Sequence, residues 1–350
     1  MKSLVRRAAA LTFAAILCAL LGASATPLRA ETAADFYRGR TLKFVSGFTP
    51  NGEYDSQLRV LARHIGRHIP GQPQIVPSSM PGAGSIILAN HLFKVAEADG
   101  TFVGMFAMQV AVEPFLKNEA IQFDPLKLNW IGSLERNHQY CAIAPAPGIP
   151  SSFEEMLRKD AKETPFGTSA PASEIYRNTA VLRNLLGARI RLVSGYSGMP
   201  AIKLALQRGE VNGVCGLTAA ALRREFLPDL SSGRLKLVLQ INGTPTAEFG
   251  KVPHVFDYAN NADQRELLNY FYGTLTLGRP IAVPPAVPAD RVAALRAAFD
   301  ATLKDEAFLQ DAKKISLDLS PTSGTELEDQ VRRLSNYPEA FFAKVRAGHK

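Results

Sequence analysis

Apolar and polar positions repeat in a fixed order from residue 41 onward: a short apolar segment, a turn, and a stretch with helical spacing. Residues 41–47 and 54–68 form the first unit, and residues 74–79, 85–96 and 101–107 continue it as strand, helix and strand. Apolar residues three or four positions apart indicate a helix with one buried face, whereas short apolar runs bounded by turns indicate strands. The alternation predicts parallel β-α-β units with right-handed crossovers.

A second series of the same kind begins after about residue 138. We predict its strands within residues 139–146, 164–168, 189–194, 211–215 and 235–240, and its helices at 172–187 and 200–209. Such a repeat of strands and helices predicts a second α/β lobe.

The pattern after residue 245 is mainly helical, with helices predicted at 290–303, at 305–315 and within 324–347. A helical tail that returns to cover the first lobe is the economical interpretation. We therefore predict a first domain of residues 31–137 and 246–350, and a second domain of residues 138–245.

The first thirty residues differ from the rest of the chain. They combine a basic start, an apolar segment at 11–21 and small residues at 23–25, the features of a secretory signal peptide. The apolar segment is shorter than the span of about 20 residues that a membrane anchor needs. Cys18 is not preceded by a small residue, which argues against a lipoprotein. We expect export to the periplasm with residues 1–30 removed.

Composition and charge narrow the class of protein. The chain has 350 residues, of which 46% are hydrophobic and 21% charged, a balance typical of globular proteins. Residues 1–30 carry four basic residues and no acidic one, so the remainder has a formal net charge of only +4. No dense run of Lys and Arg interleaved with aromatic residues is present, which argues against nucleic acid as a partner.

Two cysteines, Cys141 and Cys215, remain after removal of the signal peptide. Two are too few for a disulfide framework, so packing must stabilise the fold. Whether they form a disulfide or are small buried hydrophobic residues stays open at this stage.

The turns that follow the predicted strands are the candidate binding elements, because ligands of open parallel sheets lie at the carboxyl ends of the strands. These turns comprise residues 48–55, 80–85, 107–111, 168–173 and 195–198. Each is placed to offer backbone N–H groups, and two helix N-termini that meet across a cleft would favour a small anion such as a carboxylate.

Each of these motifs also has a plainer interpretation. The Gly82–Ala83–Gly84 turn lacks the third glycine of a dinucleotide site, so ordinary turn chemistry is an alternative. Asp55 is suited to capping its helix, and Tyr54 either lies on the surface or contacts a ligand. Glu53 is unexpected beside an anion, and it would repel a carboxylate unless it faces outward or meets a cationic part of the ligand.

The order of these motifs along nearly the whole mature chain resembles the Bug family of extracytoplasmic solute receptors, which serve tripartite tricarboxylate transporters. The matching stretches are FVSGFTPNGEYD (44–55), MPGAGS (80–85), ADGTFVGMFA (98–107), FGTSAPASE (166–174), SGYSGMPAI (194–202) and GRPIAVPPAVPADRVAALRAAFD (278–300).

The resemblance implies a two-lobe periplasmic binding protein fold of type II, with mixed sheets flanked by helices and a ligand cleft between the lobes. It also implies a monomer without cofactor that captures a small organic acid and delivers it to membrane permease subunits. With Gln109 of the 107–111 turn, the predicted ligand-binding residues are Asn51, Gly52, Glu53, Tyr54, Asp55, Gly82, Ala83, Gly84, Ser85, Gln109, Ser169, Ala170, Ser173, Tyr196 and Ser197.

Two features depart from the family. Glu53 replaces a residue in a loop that is usually richer in glycine, and Gly216 stands where many members carry an aspartate. No Arg or Lys lies within the predicted loops, while Tyr54 and Tyr196 are suited to flank an aromatic acid.

Other functions were weighed on the same residues. The sequence from Gly195 to Met199 does not match a hydrolase elbow, so no catalytic residue is predicted. His64 and His68 have a spacing compatible with metal, but Arg63 and Arg67 between and beside them favour a solvated basic face. A periplasmic sensor that reports to a membrane kinase would use the same clamp, and the sequence leaves that alternative open.

Overall fold

Two β-sheets, each with three adjacent parallel strands, organise the chain. The structure is a computed structural model that describes residues 31–170, 173–243 and 245–348. The predicted signal peptide, residues 1–30, lies outside the described residues. In the described part no helix is both long and apolar enough to cross a bilayer.

The described strands, in chain order, are β1 Thr41–Ser46, β2 Gln74–Ser79, β3 Phe102–Met105, β4 Asn129–Ser133, β5 Gln139–Ile143, β6 Thr164–Gly167, β7 Ile190–Val193, β8 Gly213–Thr218, β9 Lys236–Gln240, β10 Pro280–Val283 and β11 Thr322–Ser323. Those predicted from the sequence are confirmed within a few residues. The short strands β4, β10 and β11 were not predicted.

The described α-helices are α1 Ala33–Tyr37, α2 Glu53–Ile65, α3 Ile86–Lys94, α4 Phe153–Met156, α5 Glu174–Leu186, α6 Met199–Arg208, α7 Ala219–Ala221, α8 Leu227–Ser231, α9 Ala262–Gly273, α10 Ala289–Thr302, α11 Glu306–Lys314, α12 Gly324–Ser335 and α13 Glu339–Gly348. A π-helical turn, Leu222–Phe226, joins α7 to α8. The single helix predicted within 324–347 is two helices, and α9 was not predicted.

The first sheet has the order β11-β4-β10-β3-β1-β2, and the second has the order β7-β6-β8-β5-β9. In the first sheet β1 lies parallel to β2 and β3, while β10 runs antiparallel to β3 and β4. In the second sheet β6 lies parallel to β7 and β8, while β5 runs antiparallel to β8 and β9. Both sheets are therefore mixed, which confirms the predicted fold class.

Helices cover both sheets. Helix α2 packs on β1 and β2 and is itself covered by α10 and α11, while α12 lies on β4. Much of the tail therefore covers the first sheet, as predicted. Helix α9 instead packs on α5 of the second lobe, where the Tyr272 hydroxyl donates a 2.8 Å hydrogen bond to the carbonyl of Asn178. The predicted domain boundaries stay a prediction.

The two sheets are joined where the chain passes from β4 to β5 and again where it enters β10. The two connections touch at Gly278, which has φ of +59°, and a Cβ there would lie 1.7 Å from the carbonyl oxygen of Glu135. We call this contact between the two connections the crossing. The Ser133 hydroxyl stabilises it by donating a hydrogen bond to the Glu135 carbonyl and accepting one from the Arg279 N–H, each at 2.9 Å. Only glycine fits this position.

Cys141 and Cys215 form a disulfide, which settles the question that the sequence left open. They face each other on the neighbouring antiparallel strands β5 and β8, with their Cα atoms 4.0 Å apart, and both are fully buried. The bond closes a segment of 74 residues inside the second lobe.

The helix that was predicted to expose a solvated basic face is instead paired along that face. His64 Nε2 lies 3.0 Å from Asp311, and His68 Nε2 lies 2.7 Å from Asp305, while Arg67 also contacts Asp305. The side chains of Arg63 and Arg67 stay 59% and 46% exposed, so the prediction of a solvated face was wrong only for the histidines. They pair because α11 and its N-cap residue Asp305 supply carboxylates that the local sequence does not reveal. Among the described residues, no group of three or more His, Cys, Asp or Glu side chains is placed to hold a metal ion.

Replacing both cysteines, Cys141→Ala with Cys215→Ala, should lower the free energy of unfolding by about 2–4 kcal/mol, because the unfolded chain regains the freedom that the cross-link removes. Urea denaturation followed by circular dichroism measures the change. Reduced wild-type protein serves as the control and should unfold at a similar urea concentration. Equal midpoints for oxidised wild type and the double variant would contradict this role.

Asp305→Asn should lower the melting temperature at neutral pH and matter progressively less in acid. The hydrogen bond from His68 holds the pKa of Asp305 at about 2, and backbone N–H groups and the Arg67 charge add to the effect. Because this pKa lies below that of the unfolded chain, the stabilisation is present above about pH 4 and is lost as the pH falls toward 2. Asparagine keeps the helix cap, so the charge alone is removed.

Melting curves of both proteins from pH 7 to pH 2.5 provide the measurement. A difference in melting temperature that stays constant over this range would show that the carboxylate charge plays no part.

Candidate functional site

The turn between β1 and α2 is held in place by Asp55, whose side chain is completely buried. Its carboxylate accepts hydrogen bonds from the Asn51 N–H at 2.9 Å, from Ser79 Oγ at 2.8 Å and from Arg59 Nε at 2.7 Å. Burial would raise the pKa of Asp55, but these hydrogen bonds outweigh burial and lower it. Asp55 therefore orders the turn, in which Asn51 adopts a left-handed φ of +64° and Gly52 caps α2.

Tyr54 forms an aromatic platform at the start of α2. Its ring stacks on Phe48 with the centroids 4.0 Å apart, and the guanidinium carbon of Arg279 lies 4.4 Å from the Tyr54 ring centroid. Burial raises the pKa of the Tyr54 hydroxyl well above its usual value, so the phenol stays neutral. The predicted first ligand loop thus meets a cation that comes from a distant part of the chain.

Arg279 is the principal residue that the sequence analysis missed. Only 5% of it is exposed, and it makes ion pairs of 2.7 Å from Nη2 to Glu53 and 2.8 Å from Nε to Glu135. Gln57 Nε2 donates a 3.1 Å hydrogen bond to the other oxygen of Glu135. The available signal was a lone charged residue inside the apolar stretch 275–287, since a buried charge requires partners.

Burial and pairing act in opposite directions on this cluster. Burial alone would lower the pKa of Arg279, but the surrounding Glu135, Tyr54 and Glu53 raise it, so the guanidinium stays charged. Burial raises the pKa of Glu135, and the charge of Arg279 offsets only part of that rise. Glu53 differs from Glu135 because 55% of its side chain is exposed. The cluster is therefore buried at Arg279 and Glu135 and accessible to solvent at Glu53.

The second predicted loop adopts an unusual backbone. Gly82, Ala83, Gly84 and Ser85 have φ values of 143°, 45°, 60° and 71°, and the last three form a short 3₁₀ turn before α3. Ser85 is buried, and its hydroxyl accepts a 2.9 Å hydrogen bond from the Ala107 N–H and donates to Gly84. Ser85 thus links the second loop to the third, while Ala83 and Gly84 remain exposed.

The third loop, residues 107–111, carries Gln109, and Glu113 follows it in a helical turn at the side that faces the second lobe. Arg177 on α5 reaches across to Glu113, with 3.4 Å between Nη1 and the carboxylate oxygen. Gln109, Glu113, Arg177 and Glu174 line one cavity of about 50 Å³. The segment that follows β3 in the first lobe therefore lies close to the start of α5 in the second lobe.

The remaining predicted residues lie on the second lobe. Ser173 caps α5 by accepting a 3.2 Å hydrogen bond from the Tyr176 N–H, and the Ala170 carbonyl accepts from the Ser173 N–H. Ser169 is partly exposed and Ser197 is exposed.

Tyr196 packs at the edge of the second-lobe core, where burial and then the nearby Glu210 raise its pKa. Tyr54 packs against the first-lobe core. That the two tyrosines flank one aromatic ligand stays a prediction.

Glu174, the first residue of α5, is the second functional candidate that the sequence analysis missed. Its carboxylate accepts a hydrogen bond from the side-chain amide of Gln139, whose oxygen in turn accepts a 2.7 Å hydrogen bond from Asn178. Burial raises the pKa of Glu174, and the Gln139 hydrogen bond and the Arg177 charge only partly oppose the rise. The charge of Arg279 also lowers the pKa of Glu174 and that of Glu53 raises it, both less strongly than burial does.

The structure explains the glycine at position 216, one of the two departures from the Bug family noted in the sequence. Gly216 lies where the register between β5 and β8 shifts and has φ of +86°, a conformation that favours glycine. A Cβ at this position would lie 3.5 Å from Ile175 and 3.8 Å from Gln139 Oε1. The position therefore borders the Gln139 to Glu174 network.

Arg279→Met should lower the free energy of unfolding by about 3–5 kcal/mol, because it leaves the buried Glu135 carboxylate without its ion-pair partner. Chemical denaturation measures the loss. The double variant Arg279→Met with Glu135→Gln should recover part of it, because the unpaired charge is then gone. A double variant that is less stable than Arg279→Met would contradict this account.

Comparison with known proteins places this architecture among related chains. No protein-family model matches the chain. The UPF0065 protein in gbd 5′ region of Cupriavidus necator is 29% identical over 240 residues, which span 67% of this chain and 68% of that protein.

Solved structures share the fold at low identity. A TctC solute-binding protein from Polaromonas has a TM-score of 0.68 at 17% identity, over 88% of this chain and 99% of that chain. The periplasmic binding protein BugD has a TM-score of 0.60 at 16% identity, over 89% and 98%. An R. palustris protein determined with adipate has a TM-score of 0.60 at 17% identity, over 89% and 97%. The resemblance noted in the sequence is confirmed at the level of the fold, which this chain shares with the TctC and BugD solute-binding proteins.

Proposed function

We propose that this protein is a periplasmic receptor that captures a small organic carboxylate between its two lobes and delivers it to a membrane transporter of the tripartite tricarboxylate type. The observation that carries the proposal is the meeting of strand ends from two separate sheets, bridged by the Glu113 to Arg177 ion pair. Ligands of open α/β sheets bind at such ends. The proposed role is capture and not catalysis.

The chemistry of the cleft supports a ligand with a carboxylate. Arg279 supplies a fixed positive charge beside the first loop, and its Nη1 is a buried donor without a partner among the described residues. A guanidinium is well matched to a carboxylate because several N–H groups lie in one plane. Adipate in the R. palustris relative is a carboxylate held by a protein of the same fold.

The size of the cavity supports a binding mode in which the two lobes must separate to admit the ligand. A volume of about 50 Å³ is roughly one third of the 150 Å³ that holds benzene in an engineered cavity, so an organic acid needs more room than this conformation offers. A second ion pair joins the lobes on another side, at 3.0 Å between Arg223 and Asp318. We propose that ligand entry separates the lobes and that bridging contacts then favour closure.

The proposed ligand-contacting surface comprises the first three loops of one lobe and the two loops before α5 and α6 of the other. Their exposed members are the candidates for direct contact, since Asp55, Ser85 and Ser173 use their side chains to order the backbone. We propose that the protein loses residues 1–30 and acts as a monomer when it delivers the ligand to the transporter.

A thermal-shift screen with mono- and dicarboxylic acids tests the function. A cognate acid at 100 times its dissociation constant should raise the free energy of unfolding by about 2.7 kcal/mol and the melting temperature accordingly. Neutral sugars and choline serve as controls and should leave the melting temperature unchanged. Stabilisation by a sugar, with none by any acid, would contradict the proposed ligand class.

A further inference from the structure

A groove with apolar walls and a basic rim runs along the second lobe. It consists of two adjoining cavities of about 460 and 540 Å³, which share Pro145 and Leu235 in their lining. Helix α8 and the segment that leads into β9 form much of its wall. We call this feature the basic groove.

The register of the second sheet separates the basic groove from the cleft. Pro145 follows β5, whose last residue, Ile143, pairs with Gly213 and Lys236, the first residues of β8 and β9. The groove therefore lies toward the amino ends of the parallel strands of this sheet. The candidate ligand loops of the second lobe instead follow the carboxyl ends of β6 and β7.

Charge distinguishes this groove from an ordinary surface depression. Four of the five charged residues that line it are basic, namely Lys203, Arg234, Lys236 and Lys251, while the acid Asp229 is paired with Arg234 at 2.9 Å. The groove carries a formal net charge of +3, compared with +4 for the whole of residues 31–350. Most of the excess positive charge is therefore concentrated here.

The three lysines make no ion pair among the described residues. Lys203 and Lys236 donate hydrogen bonds to backbone carbonyls, and Glu155 lies within electrostatic reach of Lys236 without pairing to it. An ammonium group has three N–H donors, so these side chains keep donors for a partner. A concave surface of one sign attracts a partner of the opposite sign.

Apolar side chains lie among these cations. Leu227 of α8 is 49% exposed, and Leu230 and Phe249 are partly exposed. The π-helical turn Leu222–Phe226 leads directly into α8, and such turns are rare and frequently found at functional sites. A partner that fits the groove must therefore be apolar on one face and acidic beside it.

We propose that the basic groove docks an acidic amphipathic helix of a partner protein, with apolar side chains in the two cavities and carboxylates on the lysines. Helices bind in apolar grooves in this way. The cations are divided between both cavities, which suits an extended segment better than one small acid. The concave shape suits a segment better than a flat lipid surface. This role goes beyond the proposed capture of a ligand in the cleft.

Fluorescence anisotropy with a labelled synthetic helix of about 18 residues, about 27 Å long, tests the inference. The probe carries leucines on one face and glutamates on the other. One control peptide has lysines in place of the glutamates, and another has the same composition in scrambled order. The acidic amphipathic peptide should bind about ten-fold more tightly than either control, and added salt should weaken it. Equal binding of the three peptides, or none by the acidic one, would overturn the inference.

Variants assign the binding to the groove. Lys236→Glu with Lys251→Glu, at two exposed positions, should weaken binding of the acidic peptide by about ten-fold. Lys94→Glu with Lys159→Glu, at exposed positions outside the groove, makes the same change in net charge and is the matched control. Leu227→Gln should also weaken binding but leave its salt dependence unchanged, because only apolar contact is lost. A groove double variant that binds like the control would overturn the inference.

Other occupants give different results. Sedimentation with phosphatidylglycerol vesicles and sedimentation velocity of the protein alone detect a lipid surface and a second copy. Vesicle binding that the groove double variant loses, without peptide binding, or a dimer that Leu227→Gln abolishes, would overturn the inference. In the thermal-shift screen with carboxylic acids the groove double variant should match the wild type, so failure of either proposal leaves the other standing.

Discussion

A guanidinium buried in a protein must be paired, and Arg279 meets this requirement with groups from separate parts of the chain. Glu135 comes from the connection between the sheets, Glu53 from the first turn of α2, and the Tyr54 ring covers one face. Arg279 itself follows the glycine at the crossing. The position of the first of the proposed ligand loops relative to the crossing therefore depends on pairing this one charge.

In the loops around the cleft, several polar side chains hold the backbone in place. Asp55, Ser85 and Ser173 turn their oxygens toward neighbouring N–H groups. The hydrogen bonds of Asp55 and Ser85 fix turns that contain left-handed residues, which are costly unless the surroundings hold them. A rigid backbone at the rim is an advantage for binding, because less conformational entropy is lost when the ligand is captured.

Local periodicity was sufficient to predict most of the strands and helices, because apolar spacing reflects which face of each element is buried. It failed for β10, whose four residues begin with proline and show no alternation of apolar and polar positions. It also failed for β4 and α9. It also failed wherever partners are distant in sequence. His68 pairs with Asp305 and Arg279 pairs with Glu53, and no local pattern encodes such meetings. The candidate loops were found from their turn residues, whereas the charges behind them required the fold.

The crossing at Gly278 limits how the molecule can move. With the bare Cα of Gly278 against the Glu135 carbonyl, the two connecting segments have no room to slide past one another. In the opening that we propose, the halves would therefore pivot about this point and not translate along it. Because Arg279 is the next residue, its charge would lie close to the pivot and keep its place while the outer rims move furthest.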